Sequence, residues 1–153
     1  MKKDWINYFF SLAETVATKS KDPSKKIGCV VVGPDNEIRS TGYNGFPRKV
    51  IEFEERYHTR EEKLKWTEHA ERNAIYNAAR IGSSLNNCSI FIHGLFPCIE
   101  CSKAIIQSGI KKIYFRIPKE TLIEDFRRKE FENYSKTMFT EAEIDVFEFK
   151  EES

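Results

Sequence analysis

No stretch of this sequence comes near the roughly 20 consecutive apolar residues that a membrane-spanning helix needs. No sign of charge prevails either: 25 basic residues stand against 24 acidic ones, a net charge of +1. A protein that neutralises many phosphates of a long nucleic acid shows a basic face. Here the signs are interleaved, as in RKVIEFEERYHTREEKLKW from Arg48 to Trp66. Such mixing suits a solvated face or a loop and weighs against a long nucleic-acid partner. Internal repeats, low-complexity tracts and linker-like stretches are also missing. The 153 residues are therefore read as a single domain, a length that can bury a real core. The N-terminus opens with two lysines before apolar residues, as a secretory signal does. Yet Trp5, Phe9, Leu12 and Val16 recur at helical spacing, interrupted by Asn7, Ser11 and Glu14, with no continuous apolar region. The reading is an amphipathic helix belonging to the fold, in a cytoplasmic protein.

Cysteine and histidine are scarce, with four of the first and three of the second. In a reducing compartment a Cys-x-x-Cys pair points to metal binding or redox chemistry rather than a structural disulfide. Cys29, in the apolar run KIGCVVVG, reads as a small core residue. Cys88 follows SLNN in a turn and carries no signal of its own. Cys98 and Cys101 form the spaced pair.

A coarse pass along the chain gives an alternation. A first helix is expected over about residues 4–19, then two strands, KKIGCVVV and EIRSTGY, around the turn GPDN. Residues 44–66 read mostly as loop. A helix follows over about 67–81, stopped by Gly82, and then a strand, CSIFIHGL. CIECSKAIIQSG reads as a helix stopped by Gly109, KKIYFRI as a strand, residues 119–139 as one helix, and EIDVFEF as the last strand. That order implies an α/β layered domain.

His69 and Glu71 stand in EHAERNAIYNAAR at the start of the second long helix. Alone, they could be a solvated first turn whose acid complements the helix dipole. Cys98 and Cys101 alter that reading. They lie three apart at the start of another helix, which puts both sulfurs on one side, where exposed N–H groups favour thiolates. If both helices start from the same sheet edge, one imidazole and two thiolates meet. That set leaves a tetrahedral zinc one open position, the mark of a catalytic rather than a structural site. Neither spare histidine, His58 in the charged loop or His93 in a strand, is obviously placed as a fourth ligand. Glu71, beside the ligands but not one of them, is then suited to carry protons, because zinc brings the pKa of a water near 7. H-x-E followed by P-C-x-x-C is the pattern of the zinc deaminases of nucleobases.

Across almost its whole length the sequence resembles the deoxycytidylate (dCMP) deaminases of the cytidine deaminase-like superfamily. SKDPSKKIG, STGYNGFPR, HAERNAI and LFPCIECSKAIIQSGIKKIYF occur in the family's order. The resemblance implies a three-layer α/β/α fold with a mixed five-stranded sheet. It also implies zinc-dependent hydrolysis of dCMP to dUMP and ammonia, supplying thymidylate synthesis. His69, Cys98 and Cys101 match the zinc ligands. Glu71 matches the residue that protonates N3 and then the departing amine while water attacks C4. Asn44 matches the asparagine that holds the sugar, although an Asn before a Gly also serves as a plain turn residue. The Ala70 backbone would face the base edge. Phe96 walls the base pocket or only packs. Ser24, Lys25, Lys26 and Arg48 are candidates for the 5′-phosphate, or are simply solvated. Gly42, Tyr43, Asn44 and Gly45 serve an effector site in some members. The family is often a hexamer, activated by dCTP and inhibited by dTTP, which makes a homo-oligomer the expectation here. Two departures stand out. The cysteine-rich structural zinc site of some members has no counterpart in residues 44–66, and His93 and Gly94 replace small hydroxyl-bearing residues.

Three other readings use parts of the same pattern. A tRNA adenosine deaminase shares HAE and PCxxC, but the balanced charge and GYNG weigh against it. A free-nucleoside cytidine deaminase typically has a third cysteine where His69 stands. A non-catalytic zinc module would not require Glu71 beside an open coordination position.

Overall fold

In a computed structural model that describes residues 1–151, five strands form one mixed sheet. The elements are α1 (Lys3–Ala17), β1 (Gly28–Val32), β2 (Ile38–Tyr43), α2 (Arg60–Trp66), α3 (Ala70–Ile81), β3 (Ser89–His93), α4 (Ile99–Ser108), β4 (Lys112–Ile117), α5 (Asp125–Glu130), α6 (Lys136–Glu141) and β5 (Asp145–Lys150). The sheet order is β2-β1-β3-β4-β5. β1 pairs antiparallel with both β2 and β3, whereas β3, β4 and β5 run parallel. The expected mixed sheet and α/β class are both present. Among the described residues no helix is long and apolar enough to cross a membrane.

The central strands are buried on both faces, which is why they read as continuous apolar runs. Their side chains alternate between two cores. Val30, Val32 and Phe91 face α1, against Phe9, Phe10 and Ala13. Cys29, Val31, Ile90 and Ile92 face the other way, toward Ala70, Ala74 and Ala78 of α3 and Ile105 of α4. Small residues on α3 let it approach the sheet closely. Opposite them stands Gly42 of β2, where an added Cβ would collide with the backbone of Ala70 and Ala74. α3 and α4 end where the sequence indicates, at Gly82 and Gly109 in left-handed conformation.

Two segments differ from the sequence expectation. The stretch 44–66 is loop over its first part only: from residue 54 a 3₁₀ turn over Glu54–Tyr57 is followed by α2. The helix is capped by Thr59, whose hydroxyl accepts from the Glu62 N–H at 3.1 Å. It is held by a small aromatic stack in which Phe46 lies 4.7 Å from Tyr57 and 6.2 Å from Trp66, with Arg56 over the indole at 3.7 Å. Residues 119–139 are not one helix. α5 starts only at Asp125, and a π-helical turn over Phe131–Ser135 separates it from α6. The extra residue per turn buries both Phe131 and Ser135, and the Ser102 hydroxyl donates to Ser135 at 2.9 Å.

Gly42→Ala should destabilise the protein by on the order of 1–3 kcal/mol, the usual cost of overpacking a well-filled contact. Urea unfolding measures it, and an unchanged midpoint would show that α3 can retreat from β2.

Candidate metal centre and cavity

The first long helix after β2 and the helix after β3 both start beside the end of the sheet. His69 is the residue that caps α3, and Cys98 caps α4. An antiparallel bridge fixes the start of α3: the Gly45 N–H donates to the Glu68 carbonyl at 3.1 Å and the Glu68 N–H to the Gly45 carbonyl at 2.8 Å. The Glu68 carboxylate then accepts from the His69 N–H at 3.0 Å and from Arg72 Nε at 2.6 Å. At the other helix, Cys98 Sγ accepts from the Cys101 N–H at 3.4 Å, the thiolate-favouring geometry expected at a helix start.

These two starts bring the three sequence candidates together. His69 Nδ1 lies 3.4 Å from Cys98 Sγ and 3.4 Å from Cys101 Sγ, and the ligand atoms of all three lie within 4.8 Å of one another. Zinc bond lengths to nitrogen and sulfur at tetrahedral angles set the N···S edge at about 3.6 Å. The donor set thus fits zinc in both chemistry and spacing. The Cys98 thiol is lowered to about 3, first by a hydrogen bond from the Cys101 thiol, with the His69 hydrogen bond adding to it against burial. The same hydrogen bond pushes the Cys101 thiol up. His69 is raised by its hydrogen bond to Cys98.

Glu71 sits in the first turn of α3 and is 5 % exposed, an unusual burial for a carboxylate that has no cationic partner within ion-pair distance among the described residues. Burial raises its carboxyl above the usual range, and His69 acts against that. From the sheet side the buried Cys29 thiol donates to Glu71 Oε1 at 3.8 Å. Cys29 is thus the core residue the sequence suggests, and also the neighbour of the buried Glu71 carboxylate. Cys88 is buried at the far end, its thiol near the Ser84 and Asn86 carbonyls.

A cavity of about 350 Å³ opens over these groups, lined by His69, Glu71 and Cys98. Four further sequence candidates line it: Ser24, Asn44, Ala70 and Phe96. Asn44 is no mere turn residue. Its Oδ1 accepts from the Ile27 N–H and its Nδ2 donates to the Lys25 carbonyl, both at 2.8 Å, so it clamps the cavity's 25–27 edge. Phe96 both lines the cavity and packs, stacked on Phe131 at 4.7 Å.

Other candidates lie elsewhere. Lys26 is exposed and does not line the cavity; its neighbour Lys25 does. Arg48 is exposed and donates to Asn77 Oδ1 at 2.5 Å on the outer face of α3, away from the cavity. Of the effector candidates, Gly42 is packed under α3, Tyr43 is exposed and Gly45 is used in the bridge to Glu68. Only Asn44 of the four lines the cavity. His93 is buried beside α1, where burial lowers its pKa, and neither it nor Gly94 lines the cavity. Tyr57, His58, Arg60, Lys63 and Leu64 do line it. Their signal was present in the sequence, since Thr59-x-x-Glu62 is a helix-start pattern and Arg60, Lys63 and Leu64 then share one face.

A family model described as the cytidine and deoxycytidylate deaminase zinc-binding region matches residues 3–117. The chain belongs to this family. It is 40% identical over 150 residues to an uncharacterized deaminase in the luxG 3′ region of Aliivibrio fischeri, covering 95% of this chain and 94% of that one. It is 36% identical over 121 residues to the deoxycytidylate deaminase of Homo sapiens, covering 76% of this chain and 66% of that protein. The chain thus spans just under two thirds of the human relative. The dCMP deaminase of the cyanophage S-TIM5, solved with dCMP and dUMP, superposes with a TM-score of 0.75 at 25% identity, over 97% of this chain and 99% of that one. The family's zinc-binding region and the His/Cys/Cys group agree on zinc as the metal.

Asn44→Ala should leave the Ile27 N–H and the Lys25 carbonyl without partners, at about 1–3 kcal/mol for each group so orphaned. Urea unfolding and faster amide exchange at Ile27 are the measurements. Unchanged exchange at Ile27 would show that the clamp is not what holds this edge.

Proposed function

We propose that the protein is a zinc-dependent deaminase that hydrolyses dCMP to dUMP and ammonia. The observation that carries the reading is a buried carboxylate, Glu71, in the same cavity as His69 and Cys98 of the His69/Cys98/Cys101 donor set. A structural zinc module has no use for a buried acid at an open face, whereas a deaminase needs one. The relatives that carry the name deoxycytidylate deaminase support the choice of base and sugar.

In this reading His69, Cys98 and Cys101 hold the zinc, which supplies a water acidified toward neutrality. The chain's own residues do the rest. Glu71, with its proton affinity raised by burial, takes a proton from the water and delivers it to N3 of the cytosine as oxygen bonds to C4; it then takes the remaining proton of the added hydroxyl and gives it to the amine as the C4–N bond breaks, leaving the C4 carbonyl and ammonia. Ala70, at the first turn of α3, presents backbone to the base edge. Phe96, held by Phe131, closes one side of the base. Asn44, its amide already fixed by the 25–27 edge, lies where the sugar passes.

The same reading extends to residues 1–153 acting as one domain, to a cytoplasmic homo-oligomer, to dUMP supply for thymidylate synthesis, and to control by dCTP and dTTP. The resemblance of GYNG to the family's effector segment supports that last part. Rates of dCMP deamination measured with added dCTP or dTTP decide it.

Purified protein should carry about one zinc per chain. Cys98→Ala combined with Cys101→Ala should abolish it, and full zinc content in that double variant refutes the ligand assignment. Ammonia release should be fastest from dCMP when dCMP, dCTP, deoxycytidine, CMP and an adenosine-containing tRNA hairpin are compared. Glu71→Gln should retain zinc and lose about 10²–10⁴-fold in turnover, the usual contribution of a general acid–base group. Near-normal turnover in that variant would reduce Glu71 to a helix-start residue.

A further inference from the structure

A carboxylate that ferries protons must present one oxygen to the reacting atoms and keep it there. The backbone of α3 alone does not do this for Glu71, whose side chain has several rotatable bonds. Among the described residues no lysine or arginine lies within ion-pair distance to fix its far end. The donors within its reach are the Cys29 thiol, the Cys101 thiol and its own backbone N–H. Cys101 belongs to the metal-donor set, and a sulfur bound to zinc has no proton to give. The N–H is Glu71's own and ties it to no other element. Cys29 is then the donor that reaches Glu71 from elsewhere in the fold.

Its place suits that task. Cys29 lies in β1, which is hydrogen-bonded to β2 on one side and β3 on the other, and it is fully buried. The face of β1 that carries Cys29 and Val31 belongs to the core that includes Ala70, Ala74 and Ala78 of α3. From this rigid strand the sulfur comes to 3.8 Å from Glu71 Oε1, beneath the first turn of α3. Burial, then the neighbouring carboxylate, push the Cys29 pKa up, so the sulfur keeps the proton it donates. A small apolar side chain would satisfy the packing there. The S–H adds a donor to it.

We propose that Cys29 is a positioning residue for the deamination: its S–H holds Oε1 of Glu71 toward the sheet, so that Oε2 is the oxygen that faces the cavity and carries the proton. The inference rests on the deaminase reading above and adds a residue that acts through Glu71 without touching the substrate. Cys29 does not line the cavity, and no bond of its own is made or broken in the reaction. A thiol is a weak donor, which suits a contact whose work is orientation.

The test uses the zinc-loaded protein and the variants Cys29→Ala, Cys29→Ser and Val31→Ala. Val31 belongs to the same core cluster and the same strand but offers no donor. Cys29→Ala should lower kcat for dCMP about 3- to 10-fold with KM unchanged, the worth of one modest hydrogen bond. Cys29→Ser keeps a donor and should recover most of that loss. Val31→Ala should lower the melting temperature at least as much as Cys29→Ala and leave kcat unchanged. Combined with Glu71→Gln, Cys29→Ala should lower kcat no further, because the two residues act as a unit.

A second readout needs no chemistry: the infrared S–H stretch. With Cys98 and Cys101 bound to zinc as thiolates, only Cys29 and Cys88 carry an S–H. Cys29→Ala identifies the Cys29 band, and Cys88 serves as the internal reference. Glu71→Gln exchanges a charged acceptor for a neutral one and should shift the Cys29 band while the Cys88 band stays in place. A Cys29 band that Glu71→Gln leaves unmoved would overturn the proposal. So would a wild-type kcat in Cys29→Ala, or a loss of the same size with and without Glu71. A wild type that releases no ammonia from dCMP refutes the deaminase reading alone, and the band then still decides whether Cys29 holds Glu71.

Discussion

Two sulfurs and one imidazole nitrogen held within 4.8 Å of one another form an arrangement that needs a cation. Two thiolates at that range repel, and without a positive charge one must keep its proton, in keeping with the opposite directions in which the Cys98 and Cys101 thiols are shifted. A divalent ion removes the conflict and lets both ionise. Much of the fold can be read as the apparatus that enforces this proximity. β1 lies between β2 and β3 and sets the spacing of the two strands from which α3 and α4 depart. Small residues at Gly42, Ala70 and Ala74 let α3 lie close to the sheet. A bulkier contact there would lift His69 away from the sulfurs.

The cavity above the centre has walls of differing character. Its deep side is built from the regular core: α3, the start of α4 and the Phe96–Phe131 stack. Its outer side is built from less regular pieces held by polar contacts, including the Asn44 clamp, the Lys63–Asp22 pair and the Arg60–Glu124 pair. Hydrophobic packing positions the buried Glu71, the proton carrier of the proposed reaction, where a misplacement of an ångström would be costly to rate. Charge and hydrogen bonding line the entrance.

The centre and the sheet were legible in the sequence because each has a local signature. His69-x-Glu71 and Cys98-x-x-Cys101 sit at helix starts, and the strands carry apolar runs between Gly-containing turns. The entrance was harder to read. α2 is a short helix rich in charge, and its cap signal, Thr59 with Glu62, was hidden in a segment whose mixed signs suggest a loop. The helix expected over 119–139 is split, because the π-helical turn at Phe131–Ser135 answers to burial against Ser102, which no spacing in the sequence reveals. The phosphate candidates show the same limit at finer grain. Lys25 and Lys26 are adjacent and chemically alike, yet neighbouring side chains entering a strand point to opposite sides, so only one reaches the cavity. Arg48 is drawn off by Asn77, a partner 29 positions further along the chain.

The bridge between Gly45 and Glu68 joins the two ends of the segment that carries the 3₁₀ turn and α2. Everything between those residues is a closed loop hung on a two-bond clasp. Extra length in such a loop adds little to its closure cost, since that cost grows only with the logarithm of its size. The segment is therefore an exchangeable module. Insertions, deletions or a wholly different small substructure can be accommodated there while the clasp keeps His69 in place, so the entrance can diversify over evolutionary time at a fixed reaction centre.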